Sequence, residues 1–560
     1  MDSDIPTNDD LKKLRGEVVA RPVPVLLLVL LIFISRPCMA STARWPFPQQ
    51  MTYSFGIKPA SQSQATMNSD CQSIYQAFLR YNVTNSGCPP GGYRVHCGPG
   101  TLNYQTRSEG IAWGMLITVY MDNATNNTKP LFDGFDTYRK AYTNANGFMY
   151  WLVNADGTLA STGPAIEADQ NMALALLLAH YQWGSDSGTD YRGEALNLIS
   201  NLMDYCVVKP QYAMKPGDTW GGLDLLHPCA WDIGYYGPFA EFTGDARWTS
   251  VLNTHLNLIG IFYTNYNTGL MPHWCKFDGS PTGNPDPYFA DYTYEYDACQ
   301  APLKYCLYHL WNGTNGSVLP YGQCKRLAGW INTRTGGNPN GILDNYNLDG
   351  TPGPSAQWNS TCFVATFGVA TMSDPACQAW LNTIYNNLRL RNPSATDYYN
   401  TLIQMVSMLV ITGNFPDLMA LSLQSDSDGD GLPDNWETLH FGSITNSAGL
   451  ASDDYDHDHF NDRNEYVAGT DPADAQSHLK LTATRAGQNI ILSCPTVEAS
   501  GTGYFGKRRY YDLVITTNLI SGSWQPVPGA TNVLGTTGTF SYTNASPVNT
   551  AFYMVKVRLQ

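Results

Sequence analysis

The sequence predicts an all-α domain of stacked helical hairpins, then a short acidic segment, then a small all-β domain. Three observations carry this. Between about residues 45 and 420, apolar residues recur at helical spacing and alternating strand patterns are scarce. From Ser422 to about Ser477 carboxylates crowd together. From His478 to the end, short β-branched runs alternate with Gly-rich turns. A chain of 560 residues exceeds one ordinary core, so several domains are expected.

Residues 1–40 read as an export signal. Lys12, Lys13, Arg15 and Arg21 precede an apolar run from Val23 to Ile34, too short to span a bilayer comfortably. Cys38-Met39-Ala40 then offers small residues before Ser41, the spacing of a cleavage site. The basic region is long and follows acids, so an uncleaved anchor stays open as an alternative. Of 13 cysteines, removal of Cys38 leaves an even twelve, which in a secreted, extracellular chain suggests disulfides. No CxxC spacing and no Cys/His cluster along the sequence suggests zinc or a redox site.

In the helical segment (45–420), Ala195, Leu198, Leu202 and Tyr205 mark one apolar face, and Leu252, Leu256, Ile259 and Tyr263 another. Further helices are expected to begin near Cys71, Glu109, Asp169, Pro302, Cys324, Ala376 and Tyr399. The composition is globular, with 43% apolar and 14% charged residues. A net charge of −15 argues against nucleic acid and anionic membranes, which need cationic patches, and permits calcium and neutral or cationic polymers. The 14 Trp and 35 Tyr suit cores and also surfaces that stack on sugars.

The acidic segment (422–477) contains two twelve-residue loops. In the first, Asp426, Asp428, Asp430, Asp434 and Glu437 fall at loop positions 1, 3, 5, 9 and 12, with Gly431 at 6 and the Leu432 carbonyl at 7. That is the oxygen cage a Ca²⁺ ion requires. The second places Asp454, Asp456, Asp458, Phe460, Asp462 and Glu465 at the same offsets. There His459 replaces the turn glycine, which weakens the match because only glycine takes the sharp turn without strain. The pair resembles the EF-hand-like calcium repeats between domains of secreted bacterial proteins, where the ion stiffens a connection. In the last segment (478–560), runs at 479–482, 489–492, 512–515 and 552–557 read as strands of a small β-sandwich, a candidate carbohydrate-binding or cell-surface attachment module.

Hydrolysis of a glycosidic bond needs an acid for the leaving oxygen and a second carboxylate for water or carbon. Glu109 lies in Ser108-Glu109-Gly110-Ile111-Ala112-Trp113-Gly114-Met115, at the start of a helix. Glu167 and Asp169 open the next apolar helix, and Asp297 precedes one that starts near Pro302. Each alone reads equally well as an acid at a helix N-terminus.

Together the three segments resemble the signature segments of glycoside hydrolase family 8. Ser108 to Met115 matches the first; Ala165, Ala168, Asp169, Met172 and Ala173 match the second; Tyr296, Asp297, Ala298 and Pro302 match the third. The resemblance spans about residues 50–415 and implies a six-hairpin (α/α)6 barrel. It implies an inverting endo-acting hydrolase of β-1,4-linked polysaccharide: cellulose or β-glucan first, xylan or chitosan next. Glu109 is the implied general acid and Asp297 the base, with Glu167 and Asp169 at the sugar beside the cut. Trp113, Trp151, Trp231 and Tyr235 are candidate stacking platforms, and each reads equally as core. Ile166 stands for a small hydroxyl residue, Glu167 for an Asp, and Gln300 near an expected Arg. These departures leave a second reading, a weak or inactive polysaccharide-binding or adhesion protein. A monomer is expected, with calcium in the linker and no cofactor for catalysis.

Overall fold

The computed structural model describes residues 43–560, except 101, 186–187, 284–291, 315, 445–452, 500–501, 505–506, 521 and 546–549. The export signal expected at the N-terminus lies outside the described residues. No helix among the described residues is long and apolar enough to cross a membrane.

Twelve helices build the first domain: α1 (Gln64–Asn82), α2 (Ser108–Met121), α3 (Lys129–Ala141), α4 (Ile166–Trp183), α5 (Tyr191–Tyr205), α6 (Ile233–Thr243), α7 (Arg247–Asn265), α8 (Ala301–Asn312), α9 (Leu319–Thr335), α10 (Thr361–Thr371), α11 (Gln378–Leu388) and α12 (Tyr398–Ile411). Helices α2, α4, α6, α8, α10 and α12 touch one another in sequence, and α12 closes back on α2. Each has an outer partner: α3, α5, α7, α9, α11 and, for α12, α1. The result is a barrel of two concentric helical layers.

The layers differ in sequence texture for a physical reason. Every residue of α2 and every residue of α10 except Thr361 is buried, because inner helices meet neighbours on all sides. Outer α3 and α11 bury one face, keeping Lys140 and Asn386 off the core side. Helix α6 tolerates Pro238 and ends at Gly244 in a left-handed turn (φ 70°).

Beyond the barrel come α13 (Leu418–Leu423), α14 (Asp434–Phe441) and α15 (Asp462–Ala468). Leu432, Trp436 and Tyr466 form a small core there, with Phe441, Val467, Tyr504 and Leu559 packed against it. Tyr466 Oη donates to Gly503 O at 2.8 Å, and Arg509 Nε to Val467 O at 2.6 Å, so this segment is docked on the β region.

The β region holds two antiparallel sheets. One orders Gln525–Pro526, Arg509–Thr516 and Val533–Leu534, with Phe552–Leu559 also paired to Arg509–Thr516. The other orders Gly538–Asn544, Asn489–Thr496 and Thr482–Ala486. Leu492 and Phe540 from one sheet meet Leu513 and Val555 from the other in one apolar cluster. The first expected strand, 479–482, begins instead at Thr482.

The expected disulfides are not formed. All twelve described cysteines carry free thiols, eleven in the helical domain and Cys494 in the β region. Cys306 Sγ donates to Val369 O at 3.0 Å, and Cys71 Sγ lies 3.3 Å from Thr412 Oγ1.

Candidate active site

A short ladder positions Glu109. Thr106 pairs with Val153 and Arg107 with Leu152, and Ser108 N donates to Trp151 O at 2.9 Å. Helix α2 therefore starts beside Trp151, with Glu109 in its first turn and 6% exposed. Tyr398, the first residue of α12, donates its hydroxyl to Glu109 Oε1 at 2.6 Å. Glu109 Oε2 is buried with no hydrogen-bond partner among the described residues. Burial pushes the Glu109 carboxyl above its usual range; Arg107 and the Tyr398 hydroxyl oppose that, and the Asp297 charge adds to it. The Arg107 guanidinium lies 4.8 Å from the Trp151 ring centre.

Asp297 sits in a 3₁₀ turn, Tyr296–Gln300, leading into α8. Its side chain is 35% exposed, so water reaches it. His273 Nε2 is 3.4 Å from Asp297 Oδ2, and His273 Nδ1 is 3.4 Å from Glu295 Oε1. Asn345 holds the far side of this chain, with Nδ2 at 3.1 Å from Thr293 Oγ1. Burial lowers the imidazole's proton affinity, but bonds to Asp297 and Glu295 outweigh it and raise His273 to about 9. For Asp297, burial is overcome by the His273 hydrogen bond and charge, which hold the carboxyl down to about 2. Burial thus shifts the Glu109 carboxyl toward its protonated form, while His273 holds Asp297 ionised.

Glu167 completes the cluster. It is buried in the first turn of α4, with Oε2 at 4.0 Å from His227 Nδ1. Burial, then the Asp297 charge, raise it to about 8, against the pull of Lys304. Lys304 is itself buried and paired with Asp232 at 3.1 Å. The Lys at this place therefore supplies positive charge beneath the carboxylates. Gln300 is buried and donates to Tyr399 Oη at 3.0 Å, whose hydroxyl donates on to Tyr296 O at 3.2 Å. It braces the turn that carries Asp297.

Four sequence candidates lie elsewhere. Asp169 is fully buried and accepts from Met149 N at 3.0 Å, anchoring a loop rather than a sugar. Trp231 is fully buried, stacked on His255 at 4.6 Å. Tyr235 is buried and donates to Asn171 Oδ1 at 3.0 Å. Trp113 is buried in the wall of the barrel. None of these rings can stack on a polymer. Trp151 remains half-buried at the acid. Trp220, also half-buried, joins it: its ring is 6.1 Å from Trp274, which stacks on His227 at 4.0 Å.

Sequence spacing missed Arg107, Tyr398, His273 and Glu295, which hold the two carboxyls. It also missed a Cys/His cluster. His227, Cys229 and His273 are buried with ligand-type atoms all within 4.8 Å of one another.

The two acidic loops, the candidate calcium sites, show matched geometry. Asp430 N and Gly431 N donate to the two oxygens of Asp426 at 3.1 and 2.9 Å. Asp458 N and His459 N do the same to Asp454, at 3.1 and 2.9 Å. Gly431 takes φ 95° and His459 φ 81°, so the histidine adopts the turn its glycine counterpart makes. Both oxygens of Glu437 are buried without a hydrogen-bond partner among the described residues, as is Glu465 Oε2. Burial raises each of these two carboxyls to about 8. Unpaired buried carboxylates at position 12 fit a bidentate calcium ligand.

The profile of "Glycosyl hydrolases family 8" matches residues 46–413, the whole barrel. The chain belongs to that family. This glycoside hydrolase is 31% identical over 423 residues to "Endoglucanase 2" of Ruminiclostridium josui, covering 73% of this chain and 87% of that one. It is 29% identical to "Beta-glucanase" of Niallia circulans over 72% of this chain and 99% of that one. Among solved structures, the apo β-1,3-1,4-glucanase from Paenibacillus sp. X4 superposes with a TM-score of 0.62 at 29% identity, covering 66% of this chain and 98% of that one.

Proposed function

We propose that this family 8 hydrolase is an exported endo-β-glucanase that cuts β-1,4-linked glucan, with Glu109 as acid and Asp297 as base. The observation that carries it is the opposed surroundings of two carboxyls that feel each other's charge: burial favours the protonated form of Glu109, and His273 Nε2, 3.4 Å from Asp297 Oδ2, holds Asp297 ionised. Relatives named endoglucanase and β-glucanase, at about 30% identity over most of this chain, favour glucan over xylan or chitosan.

In this reading the proton on Glu109 Oε2 passes to the glycosidic oxygen as the bond from C1 to that oxygen breaks. A water on the opposite face attacks C1 and gives its proton to Asp297, so the anomeric configuration inverts. Inversion requires roughly 6.5–9.5 Å between the two carboxyls, room for that water. Protonated Glu167 donates to the sugar at the cut, and Trp151 and Trp220 offer aromatic faces along the cleft.

The two loops hold Ca²⁺ and stiffen the join between barrel and β region, and the β region attaches the enzyme to polymer or cell surface. Reducing-sugar release and viscosity loss on barley β-glucan, carboxymethyl cellulose, xylan and chitosan test the reading. Rapid viscosity loss on the glucans supports it; cleavage of xylan or chitosan alone contradicts it.

A further inference from the structure

We propose that His227, Cys229 and His273 bind a zinc-type cation beside the catalytic carboxylates, and that this cation blocks hydrolysis. The site is built by two loops registered against each other. Leu226 N donates to Cys275 O at 2.7 Å and Cys275 N to Leu226 O at 3.0 Å. That bridge places His227 and His273 one residue from Leu226 and two from Cys275, with ring centres 5.1 Å apart. Cys229, in the 3₁₀ turn Pro228–Ala230, brings Sγ to 2.9 Å from His227 Nε2.

The donor set selects the ion. Two imidazoles and a thiol suit Zn²⁺, Co²⁺ or Cd²⁺, whereas Ca²⁺ and Mg²⁺ prefer oxygen. Zinc bonds of about 2.0–2.3 Å set tetrahedral donors about 3.3–3.8 Å apart, so atoms already within 4.8 Å need adjustments of about an ångström. His227 is 7% exposed, His273 1% and Cys229 0%, so no bulk water competes for the donors. Entry is past Asp297, whose side chain is 35% exposed. Binding replaces the Cys229 S–H bond by an S–metal bond, and the ring nitrogen of His273 that takes the cation gives up its N–H and its carboxylate partner, so two protons leave to solvent.

The fourth position faces the chemistry. Asp297 Oδ2 is 3.4 Å from His273 Nε2, and Glu167 Oε2 is 4.0 Å from His227 Nδ1, the ring nitrogen other than the one that meets Cys229. A cation here either takes the imidazole that orients Asp297 or takes a carboxylate oxygen itself. Loss of the imidazole leaves Asp297 unpositioned and capture of its Oδ2 removes the base, whereas capture of Glu167 takes the group placed at the sugar. The blocking half of the proposal rests on Asp297 being that base; the binding half does not.

Co²⁺ titration of the full chain, with calcium in excess, tests binding. One equivalent gives a thiolate-to-cobalt charge-transfer band in the near ultraviolet and visible bands of a tetrahedral ion. Cys229→Ser and Cys229→Ala lose the charge-transfer band, bind Zn²⁺ at least about tenfold more weakly, and keep zinc-free hydrolysis. Zn²⁺ stops the unaltered enzyme, a zinc chelator restores it, and both variants resist. No charge-transfer band, or equal zinc affinity in the variants, overturns the site. A bound cation that leaves hydrolysis intact overturns the block and with it the role of Asp297, while the site stands.

Discussion

The Tyr398 hydroxyl donates to Glu109 Oε1 at 2.6 Å across 289 residues of sequence. Burial keeps this phenol protonated, its proton affinity raised well above the ordinary tyrosine range, so it acts here only as a donor. Oε1 is thereby fixed as an acceptor, and the acid proton of Glu109 belongs on Oε2, the oxygen with no partner. With Glu109 as the proposed acid, the contact selects which oxygen carries the proton.

Tyr398→Phe removes that selection. The bond stabilises the ionised form of Glu109, so its loss raises the Glu109 pKa further. The alkaline limb of the kcat profile moves to higher pH, and kcat at the optimum falls about tenfold to a hundredfold, within what positioned acid catalysis supplies. A pH–rate series on soluble β-glucan reads both effects.

Glu167→Ala should lower kcat more than it raises KM. Glu167 faces the same charge cluster as Glu109 and Asp297, and its contact with the sugar strengthens as the ring distorts. The expected loss in kcat is about a hundredfold with KM changed less than about threefold. Steady-state kinetics of the folded variant, checked by circular dichroism, decide it.

Little of this bracing was legible in sequence, while the helical class was. Outer helices α5 and α7 announced themselves by periodicity, because one face of each is wet. Helix α10 did not, because ten of its eleven residues are buried and no period survives. Glu109 and Asp297 were found through local segments around each. Tyr398 and His273 were not, since their meaning lies in contacts that only the closed barrel makes. For Trp231 and Tyr235 the sequence left stacking platform and core equally open; Trp231 follows the turn Pro228–Ala230, Tyr235 sits on inner helix α6, and both are core. At His459 the sequence shows a missing glycine, whereas the structure gives the histidine a positive φ of 81° and a hydrogen bond from its N–H to Asp454.

Calcium should stabilise the C-terminal half and leave the barrel's chemistry alone. Saturation at about a hundred times Kd adds about 2.7 kcal/mol. Glu437→Gln with Glu465→Gln should abolish the calcium-dependent rise in unfolding temperature. Initial rates on soluble substrate should stay unchanged. Calorimetry with calcium and with chelator measures the first, a rate assay the second.

Asp169 gives a stability prediction with a definite sign. Burial raises its carboxyl from 3.8 to about 8, so the folded protein holds this proton more tightly than the unfolded chain. Its contribution is complete below about pH 4 and is lost as pH rises through about 8. Asp169→Asn keeps an acceptor for Met149 N and cannot ionise. Its melting temperature should therefore fall less than that of the unaltered protein between roughly pH 4 and pH 9.

The most direct measurement is the anomeric configuration of the first product, followed by proton NMR on β-glucan oligosaccharide for the unaltered enzyme and for Glu109→Gln. The account predicts that the α-anomer appears first and that Glu109→Gln, folded and still binding the oligosaccharide, releases almost none. A β-anomer first, or near-normal hydrolysis by Glu109→Gln, would contradict the assignment of Glu109 and Asp297 as an inverting pair.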